Sequence, residues 1–249
     1  MGSVVQVWQI PLQLFPEQPS LTHRLLNTYL ECLSPDEKDK AARFHFPADR
    51  RRFAVARGTL RHLIARQLDQ QPQEVTFCYG TYGKPAIDLS RRPLPKALTE
   101  SECCFHFNLS HSGEIALCAL GYERAVGIDI EKVRPIERLD GMMKRTLLAK
   151  EQHQVELQAA PSHAFLQRWT CKEAYLKAIG LGLTQSMQTV EVQIDPPKLL
   201  QVPEDCADGW YLHLMDLPTG YVGALAIAGK AVVTQHQWQH RLLPADDNG

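Results

Sequence analysis

Residues 4–10, Val-Val-Gln-Val-Trp-Gln-Ile, alternate apolar and polar positions and predict a first strand. Residues 21–33 read as a helix. A second helix starts sharply at Ser34-Pro35-Asp36-Glu37, where serine at the N-cap, proline at N1 and glutamate at N3 make a capping box. Residues 49–68 repeat apolar side chains at three-and-four spacing (Phe53, Ala56, Leu60, Leu63, Ile64), which predicts a helix with its arginines on the opposite face. Strands are expected over 75–79, 103–109, 115–120 and 125–131, with Ser110-His111-Ser112-Gly113 as the turn between the second and third. The pattern changes to helix over 162–179, ended by Gly180. Short strands follow near 190–194, 210–216, 221–228 and 232–238, with Leu217-Pro218-Thr219-Gly220 as a turn. Strands and helices occur on both sides of residue 125. The expected fold is therefore α+β, built from two similar halves, 1–124 and 125–249.

Composition narrows the function classes. Of 249 residues, 44% are hydrophobic and 22% charged, the balance of a globular chain with a sizeable core. A net charge of −1 gives no global attraction to nucleic acid or to an anionic membrane, so an anionic ligand needs a local cluster of donors. No apolar run reaches the roughly 20 residues that span a bilayer, and the first residues lack the pattern of a signal peptide. The seven cysteines include no C-x-x-C pair and read as reduced thiols, so a cytoplasmic protein is expected.

Three groups of residues carry candidate chemistry. In Gly127-Ile128-Asp129-Ile130-Glu131 a strand turns both carboxylates to one face, about 7 Å apart along the backbone, within reach of one hard cation. A strand with two acids on its solvent face satisfies the same pattern. In Trp169-Thr170-Cys171-Lys172-Glu173-Ala174-Tyr175-Leu176-Lys177 a helix brings Trp169, Glu173 and Lys177 onto one face. The commoner meaning of that spacing is a surface ion pair worth about 0.2–0.5 kcal/mol. Trp169 on the same face favours partial burial, and a buried acid needs Lys177 or a metal beside it. Asn108-Leu109-Ser110-His111-Ser112-Gly113, with Gly83-Lys84-Pro85 upstream, offers hydroxyl, imidazole, backbone and ammonium donors to a phosphate; a plain hairpin turn is the alternative. The G-x-S-x-G elbow of serine hydrolases and the H-E-x-x-H run of zinc enzymes are absent.

The order and spacing of these groups over residues 34–183 resemble the surfactin-type 4′-phosphopantetheinyl transferases. That resemblance implies a pseudo-twofold pair of α/β halves with coenzyme A in the cleft between them. The first half would bind coenzyme A, and the second would carry the magnesium site and the helix that acts in the chemistry. It implies Asp129, Glu131 and Glu173 as ligands of magnesium, with manganese as a possible substitute. Lys40, Lys84, Ser110 and His111 would meet the 3′-phosphoadenosine end, with Gly83 and Pro85 shaping the turn. Many relatives carry a second basic residue where this chain has Glu37, so the clamp would lean on Lys40 and on Arg52. Lys177 and Lys172 would neutralise phosphate oxygens. Glu173 would accept the proton of the attacking serine, directly or through a metal-bound water. The implied reaction moves the phosphopantetheine arm to a serine of an apo acyl-, aryl- or peptidyl-carrier protein and releases 3′,5′-ADP; the enzyme is expected to act as a monomer. A magnesium-dependent phosphodiesterase that removes the arm, and a non-catalytic coenzyme A sensor, are the competing readings.

Overall fold

The computed structural model describes residues 4–88, 105–181, 186–203 and 209–240. Strand β1 (Val4–Pro11) leads into helices α1 (Pro19–Glu31), α2 (Pro35–Ala42) and α3 (Pro47–Leu68). A small hairpin of β2 (Phe77–Tyr79) and β3 (Pro85–Ile87) precedes β4 (Phe105–Ser112), β5 (Ile115–Tyr122) and β6 (Val126–Lys132). Helices α4 (Leu139–Thr146), α5 (Ala149–Glu156) and α6 (Pro161–Ile179) come next. Then follow β7 (Glu191–Gln193), β8 (Lys198–Gln201), β9 (Trp210–Leu214), β10 (Tyr221–Ala228) and β11 (Val232–Gln237).

The strands form two main sheets, ordered β11-β1-β5-β4 and β6-β10-β9. Each carries a long helix. On the first, α1 and α3 bury Tyr29, Leu60, Leu63 and Ile64 against Ile10, Phe107, Cys118 and Leu120. On the second, α6 lays Ala174 and Ala178 against Leu212, Ala224 and Ala226. The opposite faces of the two sheets share a core of Val5, Val7, Leu117, Ala119, Ile128, Ile130, Leu225 and Ile227. Strand β5 is apolar along its length because both of its faces are covered. The architecture is α+β.

Two local features decide how closely the layers approach. Gly127 faces α6 so tightly that a Cβ there would lie 2.1 Å from the Ala174 carbonyl oxygen and 2.3 Å from the Ala178 nitrogen. Only glycine allows that approach. At the start of α2, Glu37 Oε2 accepts from the Ser34 N–H at 3.0 Å, as the capping box predicts. The same carboxylate is 3% exposed and is paired with Arg57 and Arg61 of α3. Glu37 is therefore the anchor of α2, which accounts for an acid at this position.

The structure differs from the sequence reading at several points. Arg61 is buried, not on an outer face: it donates to Glu37 and to the Pro72 and Val75 carbonyls. Ser110, His111 and Ser112 are strand residues of β4, and the chain turns only at Gly113, whose φ is +57°. Residues 103 and 104, expected to begin this strand, lie outside the described residues. Finally, β11 does not join the sheet of its sequence neighbours. It runs parallel to β1 with Val4 opposite Val232, and Trp238 and His240 follow it to Tyr29.

Candidate active site where the two sheets meet

Strands β4 and β6 are the facing edges of the two sheets, and α6 crosses over β6. Alternation sends Ile128 and Ile130 into the core between the sheets and turns Asp129 and Glu131 the other way. Asp129 is 5% exposed. Its Oδ1 accepts from Lys177 Nζ at 2.6 Å and from Ser110 Oγ at 2.7 Å, while its Oδ2 is buried with no partner among the described residues. Glu131 accepts from Ser112 Oγ at 2.8 Å. Glu173, one turn before Lys177, is buried and forms no hydrogen bond or ion pair among the described residues. Burial raises its proton affinity above the ordinary value; Lys177 opposes this, and the neighbouring Asp129 and Glu131 carboxylates add to it. Burial raises Asp129 as well, again opposed by Lys177.

The buried Asp129 and Glu173 and the half-buried Glu131, with one carboxylate oxygen unpartnered, make an all-oxygen donor set, which suits a hard divalent cation. Among the described residues no three acidic, histidine or cysteine side chains close into a complete metal cluster, and Lys177 occupies one Asp129 oxygen.

A groove of 330 Å³ is lined by Lys40, Phe53, Tyr79, Gly83, Pro85 and His111, and by Asn108 and Leu109 of β4. Lys40 sits with its Nζ 5.4 Å from the centre of the Phe53 ring. His111 lies on the opposite face of β4 from Ser110 and is solvent-exposed; partial desolvation by its surroundings, then Lys177 and Arg52, holds its imidazole below the ordinary value. Gly83, at φ +79°, makes the β2–β3 turn that brings Pro85 to the wall. A larger cavity of 710 Å³ lies between α5, α6 and β7; neither it nor the groove is lined by Asp129, Glu131 or Glu173.

Four expected phosphate contacts are engaged elsewhere, Ser110 among them through Asp129 and Lys177. Lys172 is fully buried; its Nζ donates to Glu151 at 2.6 Å and to the Thr146 and Met187 carbonyls, so it is a structural cation. Arg52 is held by Asp49 and Glu114. Lys84 Nζ turns to the end of α6, donating to the Ala178 carbonyl at 2.5 Å and to that of Val126 at 3.5 Å; burial lowers its amine to about 8. Asn108 and Ser112 were not singled out as site residues. Their signal was the period-two spacing 108, 110, 112 in the polar run.

Comparison with known proteins decides the family. The 4′-phosphopantetheinyl transferase superfamily model matches residues 125–226, and the model for the N-terminal region of 4′-phosphopantetheinyl transferase matches 18–121. The chain is 38% identical to the 4′-phosphopantetheinyl transferase HetI of Nostoc sp. over 235 residues, covering 92% of this chain and 90% of the relative.

The chain belongs to the 4′-phosphopantetheinyl transferase superfamily.

A putative 4′-phosphopantetheinyl transferase of Synechocystis sp., slr0495, shares 33% identity over 74% of this chain and 68% of its own length. The 4′-phosphopantetheinyl transferase Sfp of Bacillus subtilis shares 29% over 80% of this chain and 84% of its own. In this phosphopantetheinyl transferase Asp129, Glu131, Glu173 and Lys177 come from one strand and one helix, both inside residues 125–226.

Proposed function

We propose that this chain transfers the 4′-phosphopantetheine arm of coenzyme A to a serine of an apo acyl-, aryl- or peptidyl-carrier protein and releases 3′,5′-ADP. The observation that carries this reading is the buried, unpartnered Asp129 Oδ2 in a group with Glu131, Glu173 and Lys177, together with a groove of ligand size lined by β4, the strand whose Ser110 holds that aspartate. The groove residues come from the first half (1–124) and the carboxylates from the second (125–249), so donor binding and chemistry divide between the two. His111 and Lys40 receive the phosphorylated nucleotide end of coenzyme A, within the walls made by Gly83 and Pro85.

Asp129, Glu131 and Glu173 would hold magnesium, or manganese in its place. When bound, the ion supplies charge neutralisation for the pyrophosphate and for the oxygen that leaves. The chain's own groups do the rest. Serine is a weak nucleophile at neutral pH and needs a proton acceptor within reach. Glu173 fills that role, directly or through one water; burial raises its proton affinity, and a cation bound beside it would lower it again. Lys177, held by Asp129 and Ser110, offers positive charge to the phosphoryl oxygens as negative charge builds there. Ser110 acts through Asp129 and not on phosphate. The chain is proposed to act as a monomer in the cytoplasm; among the described residues no helix is long and apolar enough to cross a membrane.

The test is incubation with coenzyme A, magnesium and a panel of apo-carriers, read by intact mass. A carrier gaining the phosphopantetheine mass supports the reading, and a chelator should abolish the gain. Release of free phosphopantetheine from modified carrier without coenzyme A would replace it with a phosphodiesterase. Coenzyme A binding without transfer to any carrier would leave a sensor.

A further inference from the structure

The two sheets face each other along β4 and β6, yet among the described residues β4 pairs only with β5 and β6 only with β10. An open strand edge exposes amides and carbonyls that need partners. Here side chains supply them. Asn108 Oδ1 accepts from the Ile128 N–H at 2.8 Å, and Ser112 Oγ accepts from the Lys132 N–H at 3.0 Å. Lys84 and Lys177 donate to the Val126 and Ile128 carbonyls, each at 3.5 Å. The contacts 108–128, 110–129 and 112–131 advance together, so the seam runs parallel, with the period-two side chains of β4 in place of a backbone ladder.

We propose that Ser112 is a positioning residue for the transfer reaction, acting through Glu131. A serine hydroxyl has one proton to give. Ser112 gives it to Glu131 Oε2 at 2.8 Å and takes the amide of Lys132 on its lone pair, which ties a flexible carboxylate to the backbone of its own strand. The other contact to Glu131, from Arg134 at 3.4 Å, is 62% exposed and adds little. Ser110 donates to Asp129 in the same way but accepts from Lys177 Nζ instead of a backbone amide, and Asn108 sets the register at the other end of the seam. The acidic face of β6 is thus held in one arrangement before any ligand arrives. This proposal rests on the reading of Asp129, Glu131 and Glu173 as cation ligands.

Two measurements on the full chain test it: manganese affinity by electron paramagnetic resonance without coenzyme A, and hydrogen exchange of the Lys132 amide. Hydrogen-bond partners of ligating carboxylates are worth roughly 10- to 100-fold in metal affinity. Ser112→Ala should lose affinity in that range and expose the Lys132 amide, while Ser112→Thr, which keeps the hydroxyl, should restore both. Unchanged affinity and unchanged exchange in Ser112→Ala overturn the proposal, as does a Ser112→Thr variant as impaired as the alanine. If the parent chain itself takes up no manganese, the metal reading fails, and Lys132 exchange alone decides whether Ser112 holds the strand. Asn108→Ala should free the Ile128 amide and leave that of Lys132 protected; loss of both at once would mean general unfolding and would count against a local seam.

Discussion

Lys177 Nζ lies 2.6 Å from Asp129 Oδ1, an ion pair that ties the last turn of α6 to the middle of β6. The lysine side chain is 27% exposed and the aspartate side chain 6%, so the pair has one end near solvent and one in the interior. It leaves Oδ2 of the same carboxylate open, and it brings Glu173, one turn back on α6, to the same place.

Glu173→Gln should be the most damaging single change at this site. Glutamine keeps the shape but loses the charge a cation needs and the acceptor that serine needs. Loss of one such transition-state interaction costs about 2.7–4 kcal/mol, a rate factor of roughly 100–1,000. Transfer kinetics across a magnesium titration read the result. Full rescue by excess metal would leave Glu173 as a ligand only, and near-parental transfer at ordinary magnesium would remove it from both roles.

Lys172→Met should leave transfer per folded molecule unchanged and lower stability. Lys172 and Glu151 are 0% and 1% exposed, so the change strands a buried carboxylate that otherwise keeps only the Leu148 and Val192 amides. Breaking a buried pair from one side costs about 3–5 kcal/mol. Urea unfolding and single-turnover transfer separate the two effects. A stable variant with a collapsed rate would return Lys172 to the chemistry.

Gly127→Ala should destabilise the chain by about 3 kcal/mol or more, at or beyond the upper end of overpacking costs. The added methyl meets main-chain atoms of Ala174 and Ala178, which cannot rotate away. Because α6 carries Glu173 and Lys177, activity should fall together with the melting temperature. A variant that melts like the parent would show that α6 can stand off from β6.

Acid should weaken the fold before it reaches the carboxylate range. Burial, with Arg66 adding to it, pulls His62 down to about 4, so the folded chain keeps it neutral while the unfolded chain takes a proton below about 6.5. Stability is therefore intact above about 6.5 and declines as pH falls toward 4. The urea midpoint should drop between pH 7.5 and pH 5, and His62→Leu should flatten that slope. Burial also lowers His240, which lies in the same aromatic cluster, so some slope should remain. An equal slope in parent and variant would place the pH sensitivity elsewhere.

Local chemistry was legible in the chain before any fold was known. The alternation at 127–131 put Asp129 and Glu131 on one face, the four-residue step put Glu173 and Lys177 on another, and Ser34 with Glu37 marked a helix start that the structure contains. These patterns depend on the period of a strand or helix, which neighbouring residues set among themselves. Partner choice is not written that way. Lys172 and Glu173 are adjacent in sequence but sit about 100° apart around α6, and only the packing of α5 decided that one would be a buried structural cation and the other face the acids. Ser110 and Ser112 looked like turn donors because their strand partners, Asp129 and Glu131, are about twenty residues away along the chain. The final strand could be read at 232–238, yet nothing in its alternation says that it leaves the second sheet for a parallel place beside β1. Period is a property of a segment. Which edge a strand joins, and which acid a cation meets, depends on burying surface from segments far apart in sequence, and that is settled only when the whole chain packs.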